Sequence, residues 1–193
     1  MQPHPAWRQR AWPGWNKRVA NSPEAKASNQ AVPIVACGTL YALMCSPALW
    51  ALRGASVTDA STVALVGVAV QWFGLVLEAV ADTTKARHKM ASADAGYCSS
   101  GVYSVVRHPN YTGEILAWVG VFLAGLPAMV SLGGGAVGVV ARVLPAALGL
   151  AGIVGLMLRV TPKLDAKQAD KYGDDLQYAS YVQRTKMLLP GIY

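Results

Sequence analysis

The amino-acid sequence predicts an all-α fold, a polytopic membrane helix bundle with about four transmembrane helices. Three observations carry this expectation. Only 14% of the 193 residues are charged, against about 25% in soluble domains. The apolar residues gather in long runs almost free of charge, and the mean hydropathy is positive at +0.31, which is the membrane pattern. The net charge of +7 comes from basic residues that flank those runs, as orientation in a bilayer requires. No basic helix or aromatic platform accompanies that charge, so nucleic acid is not an expected partner.

The elements follow in order. Residues 1–30 form a basic polar segment, with Arg8, Arg10, Lys17, Arg18 and Lys26 against the single acid Glu24. Such a start suits a transit peptide or a cytoplasmic loop before a span, and Trp7, Trp12 and Trp15 suit a segment lying at headgroup depth. Residues 31–193 form the transmembrane domain. A first span is expected over 31–52, a polar turn over 53–58, and a second span over 60–81, with Glu78 and Asp82 at its end. After a polar connection (82–110), a third span runs over 111–132. Gly133, Gly134 and Gly135 interrupt the pattern, and a fourth span follows over 136–160, with Arg142 and Pro145 inside it. From Thr161 the chain is polar and amphipathic.

With four spans, the N-terminal segment, the 82–110 connection and the C-terminal tail share one side. They hold most of the basic residues, including Lys85, Arg87, Lys89, Arg107, Lys163, Lys167, Lys171, Arg184 and Lys186. The positive-inside rule makes that side cytoplasmic. The helices are apolar all round, so periodicity does not select their buried faces.

An ionisable group against hydrocarbon is costly unless paired, which makes each one a candidate functional residue. Arg142 is expected to snorkel to the far interface, and Asp82 has Lys85 and Arg87 as nearby ion-pair partners. Glu114 stands in a richer setting, because Arg107-His-Pro-Asn-Tyr-Thr-Gly-Glu114 packs Arg, His, Asn, Tyr and Glu into eight residues where the chain re-enters the membrane. Pro109 favours a helix start, and a helix from about Asn110 puts Asn110 and Glu114 on one face. Free amides at that start, together with Arg107, suit an anion. The tail adds Lys171, Tyr172, Tyr178, Tyr181, Arg184 and Lys186, able to bind a phosphate-bearing aromatic cofactor or to lie in the interface. His4, His88 and His108 lack metal-ligand spacing, and Cys37, Cys45 and Cys98 form no CxxC pair, so no metal is expected. Cys37 and Cys45 read as packing residues.

Arg107-His-Pro-Asn-Tyr-Thr-Gly-Glu114, with Trp118 and Gly120, resembles the steroid 5-alpha-reductase C-terminal-domain family. Glu78-Ala-Val-Ala-Asp82-Thr-Thr-Lys85 resembles its E-x-x-x-D-x-x-K segment. The end, from Lys171-Tyr-Gly173 through Tyr181 to Pro190-Gly-Ile-Tyr193, is similar to the close of these enzymes and of the sterol C-7/C-14 reductases.

The resemblance implies a membrane enzyme that transfers hydride from NADPH to a conjugated carbon–carbon double bond in a steroid or other lipid. It assigns cofactor contacts to Asp82, Asn110, Glu114 and Tyr181, with Arg87, Arg107 and Lys186 on the phosphate side. Family reductases usually carry further N-terminal spans that supply the catalytic acid. The chain is expected to lack these, and no catalytic acid is assigned; Tyr103 and Tyr111 are both chemically able to give a proton. The endoplasmic reticulum membrane is the expected location in a eukaryote, with a plastid as the other possibility. A competing likeness, to isoprenylcysteine carboxyl methyltransferases and their phospholipid relatives, implies S-adenosylmethionine instead. It shares R-H-P-x-Y-x-G but not the Glu-Glu pair, near whose place stands Leu164-Asp165. A non-catalytic family member is the third reading.

Overall fold

A computed structural model describes residues 23–54, 61–91 and 96–189, with side chains from residue 31 onward. The expectations for Trp7, Trp12 and Trp15 and for Pro190-Gly-Ile-Tyr193 lie outside the described residues. The helices are α1 (Pro23–Gly54), α2 (Thr62–Ala91), α3 (Pro109–Ser131), α4 (Gly135–Tyr172) and α5 (Leu176–Arg184), with a 3-10 turn at Gly101–Ser104 between α2 and α3. No strand occurs among the described residues; Val106 and Lys186 form an isolated parallel bridge. Ala31–Gly54, Thr62–Ala91, Pro109–Ser131 and Gly135–Tyr172 are each long and apolar enough to cross a bilayer. The fold is all-α, and the protein is an integral, multi-pass membrane protein.

Two helices run well past the limits that hydropathy suggests. α2 has 30 residues and α4 has 38, so at 1.5 Å per residue they measure about 45 and 57 Å, against a hydrocarbon core of about 30 Å. The surplus lies at the basic end, as the polar continuations 82–91 and 161–172. Helix ends are set by backbone hydrogen bonding and caps rather than by polarity, so both helices continue into water as paired arms.

Between α2 and α3 the contact is backbone on backbone. Gly67, Gly74 and Ala81 of α2 are buried at intervals of seven residues, as are Gly113 and Gly120 of α3. A Cβ on Gly74 would stand 2.4 Å from the Ala117 nitrogen, and one on Gly120 2.3 Å from the Gln71 nitrogen. Lipid is as apolar as leucine, so helices in it associate through such close packing rather than through the hydrophobic effect. The outward face of α2 instead presents Trp72, Phe73 and Val76, all more than half exposed, as suits a surface against acyl chains. α1 meets α3 where Gly125 fits against Pro47, and meets α4 where Gly149 fits against Leu43 and Met44. Met44, Ile153 and Met157 form the buried core there, flanked by Tyr111, Ile115 and Trp118.

At the opposite end the α3–α4 turn uses Gly134 and Gly135 with φ of +101° and +58°, a region that L side chains rarely adopt. Arg142 differs from expectation. Rather than snorkelling, it is buried and turns back on the end of α3, donating to the carbonyls of Met129 (2.8 Å), Gly133 (3.0 Å) and Leu132. The last carbonyls of a helix lack partners and carry the negative dipole end, so a guanidinium there satisfies both.

The seam makes a direct prediction. Gly120→Ala lowers the melting temperature of the detergent-solubilised protein, by an overpacking cost of about 1–3 kcal/mol. Gly155→Ala, whose new methyl meets nothing within 4 Å, leaves it unchanged. Equal effects of the two changes would refute the seam.

Candidate functional site

The polar block begins with a turn whose geometry follows from its proline. Pro109 occupies the first helical position of α3, and His108 is the N-cap. The His108 carbonyl takes the amides of both Tyr111 and Thr112, so the helix start keeps fewer donors for an anion than the sequence suggests.

Arg107 is 8% exposed, and its guanidinium is heavily engaged. Nε and Nη2 donate to the two carboxylate oxygens of Asp165 at 2.9 and 2.8 Å, and Nη1 donates to the carbonyls of Val182 (3.0 Å) and Thr185. Bidentate geometry and carbonyl partners are what a buried guanidinium needs to offset its lost hydration. Asp165 stands on the outer arm of α4 and also lies 3.4 Å from His108 Nε2. The carboxylate therefore joins the α4 arm to the start of α3.

The tail joins the same point. After α5, the Lys186 and Met187 carbonyls accept the amides of Arg107 and His108 at 2.8 and 2.9 Å. The Leu188 carbonyl accepts the Thr112 hydroxyl at 2.7 Å. Tyr181, 4% exposed, donates its hydroxyl to the Tyr103 carbonyl at 2.8 Å and stacks on Tyr97, with ring centroids 5.5 Å apart.

These supports frame a cavity of about 330 Å³ at the basic end. From the α2 arm come Lys85, His88 and Lys89; from the α4 arm, Lys167, Gln168, Lys171 and Tyr172. Tyr97, Cys98 and Tyr103 close one wall, and Arg107, His108, Asn110 and Tyr111 the wall nearest the membrane. Among the described residues no carboxylate lines it, while four lysines do. The fifth strong cation, Arg107, is already neutralised by Asp165. Two lining residues carry a buried polar atom without a hydrogen-bond partner, Nε2 of His88 and the hydroxyl of Tyr103.

The structure treats the seven expected site residues differently. Arg107 and Asn110 line the cavity together. Glu114 does not; it lies on α3 within electrostatic reach of Asp82 and takes a hydrogen bond from the Trp118 side chain one turn on. Asp82 is exposed and forms no direct ion pair among the described residues, although Lys85 lies within its electrostatic reach. It stands one turn membrane-ward of Lys85. Tyr181 lines a separate shallow groove with Tyr97 and Arg184. Arg87 and Lys186 are exposed and line neither space; the Lys186 backbone, rather than its ammonium, is what the site uses. Sequence reasoning missed Lys85, His88, Lys89, Lys167 and Asp165 as site residues. For the first four a signal existed, since 85, 88 and 89, and 164, 167, 168 and 171, follow helical spacing.

Burial holds His108 below the ordinary imidazole value, opposed by Asp165 and reinforced by Lys85 and Arg107. The same cause raises the phenols of Tyr103 and Tyr181. The imidazole and both phenols are neutral as a result, which leaves the lysines to set the field of the cavity. Among the described residues, no group of three or more His, Cys, Asp or Glu side chains is arranged to hold a metal ion.

A family model described as a protein of unknown function, DUF1295, matches residues 7–185. Against curated proteins and against solved structures the chain has no match.

Two outcomes are expected of the Arg107 network. Asp165→Asn leaves a buried guanidinium without its counter-charge and destabilises the protein by about 3–5 kcal/mol, read as a lowered melting temperature. Asp165→Glu recovers part of the loss. The depressed His108 value gives a pH effect with a definite sign. Its stabilisation is complete above the unfolded imidazole value of about 6.5 and is lost as pH falls from there through the folded value. His108→Gln should flatten the decline of melting temperature below pH 6.5, and an unchanged decline would remove His108 as its source.

Proposed function

The chain belongs to the DUF1295 family, and we propose that it is a membrane-embedded, NADPH-dependent reductase of a conjugated carbon–carbon double bond in a steroid or other lipid. The observation that carries this reading is the charge of the cavity: four lysines on two helical arms, no lining carboxylate among the described residues, and a mouth beside apolar spans. A phosphorylated dinucleotide is strongly anionic and suits that field. S-adenosylmethionine carries a sulfonium cation, which the same lysines repel. The unpartnered Tyr103 hydroxyl and His88 nitrogen add hydrogen-bonding capacity that a polar cofactor would satisfy. The likeness of the Arg107–Glu114 block to steroid 5-alpha-reductases points the same way.

In this reading Lys85 and Lys89 grip phosphate from α2, and Lys167 and Lys171 from α4. Tyr172 and Tyr97 offer aromatic faces to the adenine, and Asn110 and Tyr111 meet the end of the cofactor nearest the membrane. Arg107 works through Asp165, holding the walls rather than touching phosphate. NADPH supplies the hydride when bound, and the lipid brings its double bond laterally from the bilayer. Asp82 and Glu114, one turn deeper than the lysines, then bound the reacting end. The basic end faces the cytoplasm, where the dinucleotide is available.

Calorimetric titration of the purified protein in detergent tests this. NADPH should bind, more weakly as salt rises, and S-adenosylmethionine should not. Lys167→Gln with Lys171→Gln should weaken NADPH binding by about tenfold or more, the loss expected when charged hydrogen bonds go. Binding of S-adenosylmethionine alone would replace the reductase with a methyltransferase.

A further inference from the structure

Cys98 occupies a position unlike that of the other two described cysteines. Cys37 and Cys45 lie on α1 within its membrane span, on exposed faces, where hydrocarbon keeps water-soluble reagents away. Cys98 lies outside the helices, half-buried, in the wall of the basic cavity. Lys85 stands close enough to interact electrostatically with its sulfur. An ammonium beside the sulfur attracts a negatively charged reagent to it.

A cysteine in a wall is not a site by itself, and a separate observation indicates that this space receives a ligand. Tyr103 is 4% exposed and lines the same cavity, yet its hydroxyl has no hydrogen-bond partner; the same holds for Nε2 of His88. Natural proteins rarely leave such buried atoms unsatisfied. The chemistry of the ligand follows from the lysines, because a cleft lined by one sign of charge concentrates the opposite ion. An anion that carries a disulfide would be drawn to the one thiol that faces them.

We propose that Cys98 is a modification site for anionic disulfides, with glutathione disulfide as the soluble representative, and that the mixed disulfide closes the cavity. The Cys98 thiol first gives its proton to water. Its thiolate then attacks one sulfur of the disulfide, a new S–S bond forms to Cys98, the original S–S bond breaks, and a glutathione thiolate leaves. The exchange balances without any further oxidant, and free glutathione reverses it. The carboxylates of the attached half meet Lys167 and Lys171 on the opposite arm. The modification rests on the cavity alone; its consequence for NADPH rests on the reductase reading.

The test compares two methanethiosulfonate reagents of similar size on the wild-type protein, one bearing a sulfonate and one a trimethylammonium group. Peptide mass spectrometry locates the adduct. The sulfonate reagent should label Cys98 about tenfold faster or more, an advantage of the size that charged clefts confer. Lys85→Gln should reduce that ratio, and glutathione disulfide should give the same peptide a glutathione adduct. Equal rates for the two reagents, or no adduct at Cys98, would overturn the proposal. Protection of Cys98 by NADPH is scored separately. Charge-selective labelling without protection leaves the modification site standing and counts against the reductase reading.

Discussion

A guanidinium that is 8% exposed at the edge of a membrane has few ways to be stable, and the arrangement around Arg107 meets each requirement. It needs a counter-charge, which Asp165 supplies through both oxygens, and acceptors for its remaining N–H groups, which the carbonyls of Val182 and Thr185 supply. The three partners come from three parts of the chain: the α4 arm, α5 and the strand-like segment after it. Removing one partner would strand a buried charge, so the interaction acts as a single unit rather than as separate contacts. The walls of the cavity keep their relation to one another because this unit is complete.

Below that point a different constraint holds. The α2–α3 pair is set by backbone approach at Gly67, Gly74, Gly113 and Gly120, with no room for a side chain at the seam. The overrun of α2 and α4 then has a clear effect. Two helices that ended at the bilayer surface would bring only headgroups together; two that continue for about three turns make a cleft in water. The lysines sit on the facing stripes of these continuations. Asp165, on the same arm as Lys167 and Lys171, is already engaged by Arg107.

The four spans were legible in the sequence because about twenty apolar residues in a row are needed to cross a bilayer and few other structures use them. The polar block at 107–114 was legible as the place where functional chemistry would gather, and its Asn110 does line the cavity. Individual roles were less legible. Arg107 read as free to hold phosphate, because its partner Asp165 lies 58 residues away and only tertiary structure joins them. Arg87 read as the phosphate-side residue and Lys85 only as an ion-pair partner, yet two residues on a helix differ by about 200° and face opposite ways, and it is Lys85 that lines the cavity. The lysine stripe of α4 was missed because the helix was expected to stop with its apolar residues. Seven-residue spacing of glycines carried the α2–α3 seam, in a region where hydropathy alone gives no face.

The pairing of 106–112 with 182–188 has a bearing on how stability is distributed. Its hydrogen bonds span 75–79 residues of chain, whereas each membrane helix is held by bonds four residues apart. The long-range set can therefore open as a cooperative unit of its own, releasing α5 and the segment after it while the spans stay inserted. Amide exchange at Arg107 and His108 would then report that opening rather than global unfolding. The protein would lose its cavity well before it lost its helices, and tolerance of detergent or heat by the bundle would say little about whether the binding end is intact.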